Sequence, residues 1–424
     1  MKYSLSVLPN GLRVLSVPMP QLESATVTVW VKTGSRMENS KVNGISHFLE
    51  HMIFKGSKKR PSAKEISEAV DAIGGEFNAN TNKDWTNFYI KARATHLETA
   101  FDVLADMVLN PILAKKEIER EKGVIVEEIR MYEDTPMVKI SDVFEQLTFS
   151  GSSLGWDIAG NEKTVRSIKR NDFVRYRKIH YHPKNMLITV SGAINPKDIL
   201  SLAKRYFGGL NGQNSKVLDI EPFKVSQDKP RVKLRTKKIE QAHFILGFLG
   251  NGRSYPGKFA EMMLTTILGG GMSSRLFIEV RERRGLAYAV KTWPDRYQEV
   301  GYIGNYAGVD VARVDEAISV ILEQLYGLAS KKFPITKKEL LIAKEYLKGH
   351  LALALEDTKD VSGFFGEQAI FLKEVLTPEE VFAKVDRVTA DEVVGEAKKL
   401  FVPQKLNLAI IGPYDDDERF RKLV

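Results

Sequence analysis

An internal repeat limits the folds that are open to this 424-residue chain. Residues 165–192 align without a gap on residues 385–412, with matching apolar positions and a strand-ending glycine in each copy. Residues 25–36 align in the same way on residues 242–253. A repeat of this length predicts two similar domains, 1–210 and 230–424, each of a common domain size. The polar stretch 211–229 between them is expected to be a linker.

Hydrophobic periodicity predicts mixed secondary structure in the first domain. Two short strands flank Pro9-Asn10-Gly11, which favours a hairpin, and a third strand is predicted over 26–33. The remaining predictions are helices over 45–54, 63–73, 95–109 and 115–131, and two strands within 76–93. Because strands and helices are mixed without strict alternation, we expect an α+β fold in which each domain packs an antiparallel-rich sheet against helices.

One predicted helix carries the sequence His47-Phe48-Leu49-Glu50-His51. At 3.6 residues per turn, both imidazoles and the carboxylate lie on one face of this helix. His-x-x-Glu-His is the inverted motif of zinc peptidases, in which two neutral histidines one turn apart bind the metal. Since the chain has no cysteine, nitrogen and oxygen atoms must hold any metal. The motif predicts one Zn²⁺ per chain and Glu50 as the base that accepts a proton from water.

The second copy of the repeat keeps the helical pattern of residues 45–54 but lacks the motif residues. With an offset of 217, the three motif residues fall on Leu264, Ile267 and Leu268. We therefore expect 1–210 to be the catalytic, zinc-binding domain and 230–424 to lack metal ligands and to bind substrate.

A third protein ligand is expected, because catalytic zinc usually has three and an open position. The helix 115–131 offers five acids for this role, and their spacing alone does not select one: Glu117, Glu119, Glu121, Glu127 and Glu128. Glu121 and Glu128 are seven residues apart and share a face, whereas Glu127 points about 100° away from Glu128.

Charge and hydropathy exclude other classes of function. The net charge of +9 is spread over helices of mixed sign, without a basic block interleaved with aromatic residues, so no nucleic-acid binding is expected. The apolar run near the N-terminus is interrupted at Pro9 before it could form a signal peptide or a membrane span. We therefore expect no membrane association and a cytoplasmic location.

The motif and its surroundings, residues 34–38 and 43–56, resemble the pitrilysin family of zinc metallopeptidases. The similarity extends over essentially the whole chain and is greatest to short members related to the catalytic subunit of the mitochondrial processing peptidase. It implies that Glu128 is the third ligand and that Glu121 supports the metal environment. It also implies an endopeptidase acting on extended peptides or unfolded segments, inside a clam-like chamber of four repeats. Since this chain supplies two, a homodimer is expected, with a heterodimer as the alternative.

Two further stretches resemble substrate-binding elements of that family. Residues 74–81 resemble an edge strand onto which a peptide is added, where the substrate-binding residues would be Phe77, Asn78, Ala79 and Asn80. In the second domain, Arg281 would anchor the substrate backbone, and Tyr288 would stabilise the charge that develops on the carbonyl oxygen. A solvated arginine and a packed tyrosine are the alternatives. The alternative for the whole chain is a non-catalytic or partner-dependent subunit of a processing-peptidase-like complex.

Overall fold

The computed structural model describes residues 1–211 and 219–424, so residues 212–218 of the predicted linker lie outside the described residues. The first sheet has the strand order β1-β2-β6-β3-β5-β4, with β2 and β6 parallel and the other neighbours antiparallel. Its strands are β1 (Ser4–Val7), β2 (Arg13–Pro18), β3 (Ser24–Val31), β4 (Glu76–Thr81), β5 (Thr86–Arg93) and β6 (Met186–Gly192). The predicted hairpin is confirmed, and its turn uses Gly11 at a φ of 91°.

The second sheet repeats this arrangement with one strand fewer. Its strands are β7 (Arg231–Thr236), β8 (Gln241–Asn251), β9 (Ala287–Arg296), β10 (Val300–Asp310) and β11 (Leu406–Gly412). Their order is β7-β11-β8-β10-β9, with β7 and β11 parallel, which reproduces β2-β6-β3-β5-β4. The α+β fold with two homologous sheets is therefore confirmed, and the gap-free sequence alignments fall on β3 with β8 and on β6 with β11.

Helices cover and connect the two sheets. They are α1 (Ile45–Ile53), α2 (Ala63–Asp71), α3 (Leu97–Leu109), α4 (Lys115–Asp134), α5 (Pro136–Thr148), α6 (Glu162–Ser167), α7 (Arg170–His180), α8 (Pro196–Phe207), α9 (Lys258–Gly269), α10 (Val314–Ala329), α11 (Lys337–Ala354), α12 (Thr358–Phe371), α13 (Pro378–Arg387), α14 (Ala390–Leu400) and α15 (Glu418–Arg421). In the part of the chain that the structure describes, none of these helices is both long and apolar enough to cross a membrane.

The chain divides into two compact units that do not follow the sequence halves. The first unit comprises 1–130, 156–221 and 352–379, and the second comprises 131–155, 222–351 and 380–424. Two segments thus differ from the continuous domains expected from the repeat. The first of them contains α5, which packs on β8 and β11 of the second sheet. The other contains α12, which packs on β3 and β6 of the first sheet.

Side-chain complementarity explains why each sheet takes a helix from the other half of the sequence. On α5, Phe144 lies against Gly247 of β8, where a Cβ atom would come within 2.6 Å of the ring. On α12, Gly366 lies against Trp30 of β3, where a Cβ atom would come within 2.5 Å of the indole. In both units an aromatic side chain thus packs against a glycine. The aromatic residue is on the helix in the second unit and on the strand in the first.

Candidate metal centre

The helix α1 begins at a glycine in the left-handed conformation. Gly44 has a φ of 97°, and a Cβ atom there would lie 2.6 Å from the carbonyl oxygen of Ala159. From this start, α1 turns Phe48, Leu49 and Met52 into the core of the first unit. The motif residues lie on the remaining face and are half-buried. The apolar spacing of α1 therefore determines which way its histidines point.

Glu128 of α4 meets both histidines of α1. The Nε2 atoms of His47 and His51 are 3.3 Å apart, and Glu128 places one carboxylate oxygen 3.7 Å from the first and the other 3.5 Å from the second. Within residues 1–211 and 219–424, no other group of three His, Cys, Asp or Glu side chains converges in this way. Ligand atoms that surround a tetrahedral zinc ion at about 2.0–2.1 Å are about 3.3 Å apart. The donor types and their spacing therefore fit zinc.

Glu121, also on α4, is not one of the three converging residues but contacts one of them, His51. Its carboxylate is almost fully buried, with one oxygen 2.9 Å from His51 Nδ1 and the other 2.8 Å from Lys55 Nζ. The bond to Nδ1 favours the histidine tautomer in which Nε2 carries the lone pair that a metal needs. Glu121 thus orients His51, and Lys55 orients Glu121.

The other acids of α4 have different partners. Glu117, Glu119 and Glu127 each form an ion pair with a cation three residues along the helix. Such pairs are typical of a solvated helix face.

Burial and neighbouring charges shift the pKa of both histidines. Burial, together with the charge of His51, lowers the pKa of His47 to about 4. At His51 burial also lowers the pKa, but the hydrogen bonds to Glu121 and Glu128 outweigh it and raise the pKa to about 9. At Glu121 burial raises the pKa, yet the bonds from His51 and Lys55 prevail and hold it below its ordinary value. The two carboxylates thus stabilise a positive charge at His51, which is also the charge that a bound metal cation would bring there.

Glu50 lies on α1 beside the three converging side chains and is held by Thr81. Burial raises the pKa of Glu50, and the hydrogen bond from Thr81 opposes this rise. The hydroxyl of Thr81 donates to Glu50 Oε2 at 2.5 Å. Sequence reasoning gave Thr81 and Lys55 no role, because both act through contacts between elements that no motif spacing reveals.

The proposed substrate strand lies against α1. It is β4, the terminal strand of the first sheet, and it pairs with β5 alone. Asn78 and Asn80 are exposed, whereas Ala79 is buried and Phe77 packs against Phe54 with the ring centroids 5.5 Å apart. One face of this strand is thus packed against the helix that carries His47 and His51, while its outer edge is unpaired in the described sheet.

Arg281 and Tyr288 lie close together in the second unit. Arg281 is in a π-helical turn at Phe277–Glu282, and its guanidinium lies 5.1 Å from the ring centroid of Tyr288. Tyr288 is 78% exposed, which is unusual for an aromatic residue. In the same unit, the residues that align with the motif, Leu264, Ile267 and Leu268 of α9, are buried in the core.

Comparison with known proteins agrees with this geometry. Residues 13–162 match the family described as Insulinase (Peptidase family M16), and residues 167–347 match the one described as Peptidase M16 inactive domain. The chain is 37% identical to the uncharacterized zinc protease YmxG of Bacillus subtilis, over 95% of this chain and 97% of that protein.

Two solved structures share the fold over their whole length. A protease from Helicobacter pylori has a TM-score of 0.90 and 24% identity, over 97% of this chain and 99% of that chain. A chain of complex III2 from Candida albicans has a TM-score of 0.83 and 18% identity, over 99% of each chain. Together with the motif and the repeated sheets, these matches confirm the resemblance seen in the sequence: the chain belongs to peptidase family M16.

Proposed function

We propose that this chain is a zinc-dependent endopeptidase that hydrolyses peptide bonds in extended peptides or unfolded segments. The observation that carries the proposal is the convergence of His47, His51 and Glu128, with the carboxylate of Glu50 on the same helix face. The related proteins that are named zinc proteases support the same chemistry.

His47, His51 and Glu128 would hold the metal, and Glu121 would orient His51. Bound zinc supplies Lewis acidity, which polarises the scissile carbonyl and activates water. Glu50 accepts a proton from the attacking water at its carboxylate and then delivers it to the leaving amide nitrogen. The raised pKa of Glu50 suits this double role, because burial makes its carboxylate a stronger base toward the proton of the water.

The outer edge of β4 is the proposed site for the substrate backbone. Residues Phe77 to Asn80 would pair with an extended peptide through main-chain hydrogen bonds, which tolerate many side chains. Arg281 and Tyr288 are proposed to contact the substrate as well, the arginine at its backbone and the tyrosine at the developing oxyanion. We propose a homodimer, with these two residues acting on the site of the other subunit.

The test is hydrolysis of a quenched fluorescent peptide by the wild-type chain, Glu50→Gln and Glu127→Gln, with zinc measured on each. Wild type and Glu127→Gln should cleave the peptide and lose activity with a chelator, since Glu127 is exposed and paired with Arg130. Glu50→Gln should bind zinc and lose activity by at least about a hundredfold, because removal of a general base typically costs that much. A purified wild-type chain that binds no zinc and cleaves nothing would favour the non-catalytic or partner-dependent subunit instead, and a co-purifying second polypeptide would identify the partner.

A further inference from the structure

One hydrogen bond joins the proposed substrate strand to the proposed base. Thr81, the last residue of β4, donates its hydroxyl proton to Glu50 Oε2 at 2.5 Å, at the short end of the range for O–H···O bonds. Short bonds of this kind are typical of an ionised acceptor. It is the one side-chain hydrogen bond to the Glu50 carboxylate within the described part of the chain.

The position of Thr81 is fixed by the hairpin that it begins. It pairs with Thr86 of β5, and the next residue, Asn82, closes the turn by donating its amide to the carbonyl of Trp85 at 2.8 Å. As a β-branched residue, Thr81 also has few side-chain rotamers available. The hydroxyl is therefore held in place before any substrate binds.

The segment before α1 is anchored to the same turn. The amide of Ser35 donates to the carbonyl of Asn82 at 3.1 Å, and a Cβ atom on Gly34 would lie 2.0 Å from that oxygen. Arg36 forms a buried ion pair with Asp84 at 2.9 Å. The turn after Thr81 and the chain that leads into α1 thus pack together. This packing fixes the Thr81 hydroxyl, which donates, relative to the Glu50 carboxylate, which accepts.

Strand alternation makes this contact relevant to catalysis. Phe77, Ala79 and Thr81 project to one face of β4, and this face includes the contact with α1. A peptide added at the edge of β4 would bind to the strand that also holds Glu50. With Oε2 held by Thr81, the other oxygen, Oε1, is left for the proton transfer.

We propose that Thr81 is a positioning residue, whose hydroxyl holds the Glu50 carboxylate in the orientation that proton transfer requires and links that orientation to the substrate strand. This inference rests on the proposed peptidase function and deepens it. It assigns no metal contact to Thr81.

The test compares Thr81→Val, which keeps the shape but loses the donor, with Thr81→Ser, which keeps the donor. Thr81→Val should lower kcat by about 10- to 100-fold, the effect expected when a hydrogen bond to a charged group is lost, with KM and zinc content near the wild-type values. Thr81→Ser should recover most of this loss. The control is Thr86→Val, which removes the hydroxyl directly across the hairpin, one that bonds to the carbonyl of Thr33 and not to Glu50.

Three kinetic results would overturn the proposal. If Thr81→Val retains the wild-type kcat, or if Thr81→Ser is as impaired as Thr81→Val, the hydroxyl does not position the base. A rise in KM alone would assign Thr81 to substrate docking and would also contradict it.

Crystal structures of the metal-free variants test the positioning independently of activity. Glu50 should occupy one conformation in wild type and Thr81→Ser, and should leave it in Thr81→Val. An unmoved Glu50 in Thr81→Val overturns the inference. A wild-type chain that cleaves nothing would disprove the proposed function, and the position of the carboxylate would still decide the role of Thr81.

Discussion

Glu38 shows how a single buried carboxylate fixes the start of α1, the helix of His47, Glu50 and His51. It accepts hydrogen bonds from the amides of Gly44 and Ser46 at 2.7 and 2.8 Å, and from the side chain of Asn43 at 2.9 Å. These donors lie at the positive end of α1, where an anion is stabilised. Burial is the larger effect, however, and raises the pKa of Glu38 to about 7 from an ordinary 4.5.

This shift predicts a pH-dependent stability. The folded state retains a proton that the unfolded state has already lost, so the contribution of Glu38 is fully present below pH 4.5 and is lost as the pH rises to about 7. The variant Glu38→Gln cannot titrate. The wild-type free energy of unfolding, relative to this variant, should therefore fall by up to about 3 kcal/mol between pH 4.5 and pH 8. Urea unfolding at both pH values measures it, and a constant difference would contradict the prediction.

At the residue scale, the sequence predicts contacts within one element and not those between elements. His47, Glu50 and His51 could be placed together because one helical turn carries all three. Selecting Glu128 from five acids required the resemblance to a known family, because helical spacing does not show which face of α4 meets α1. Glu38, Lys55 and Thr81 were missed for the same reason, since each acts on a residue of a different element.

At the element scale, a glycine on α12 determines how closely the helix approaches its sheet. Substitution of Gly366 by Ala should destabilise the first unit by about 1–3 kcal/mol, because the new Cβ would overlap the indole of Trp30. Gly363, on the same helix, has no atom within 4 Å of its Cβ position. Gly363→Ala should therefore be neutral or stabilise by up to about 1 kcal/mol through helix propensity. Thermal unfolding of both variants measures the contrast, and equal effects would contradict close packing at Gly366.

The repeat predicted two similar sheets but not the exchange of helices. Aligned segments reveal which residues share an environment, such as the strand-ending Gly192 and Gly412. They do not reveal which helix covers which sheet, because α5 and α12 are each nearer in sequence to strands of their own half than to the sheet that they cover. The choice depends on the fit of Phe144 to Gly247 and of Gly366 to Trp30, which is a property of three-dimensional packing.

At the scale of the whole molecule, the proposed homodimer predicts complementation between inactive variants. Glu50→Gln and Tyr288→Phe should each be inactive or nearly so when pure. If Tyr288 acts on the site of the other subunit, a mixed dimer contains one intact site. An exchanged equimolar mixture should then recover about one quarter of the wild-type activity, as expected for random pairing in a two-fold dimer.

The matched control is a mixture of Glu50→Gln with Glu128→Gln. Both substitutions lie in the first unit, so no mixed dimer contains an intact metal centre and no activity should return. Peptide hydrolysis after subunit exchange, with the mass of the species followed by sedimentation, measures the result. Recovery in neither mixture would show that Tyr288 does not act across subunits.

The exchange of helices also has a consequence for synthesis on the ribosome. All strands of the first sheet have been made by Gly192, but α12 is complete only at Phe371. At typical elongation rates, synthesis of these roughly 180 residues takes about 10–35 s, and during this time one face of the sheet is not yet covered by α12. That face carries hydroxyl groups, and the residues that later bond to α12 are Thr26, Thr28, Thr189 and Ser191.

For the second sheet the order of synthesis is reversed, because its covering helix is made first. Its covered face is apolar, with Ile245, Ala409 and Ile411 packed beside Phe144, but α5 is synthesised before any of its strands. The nascent chain thus leaves uncovered the face that carries hydroxyl groups beside Trp30, and it already contains the helix for the more apolar face, whose exposure would favour aggregation.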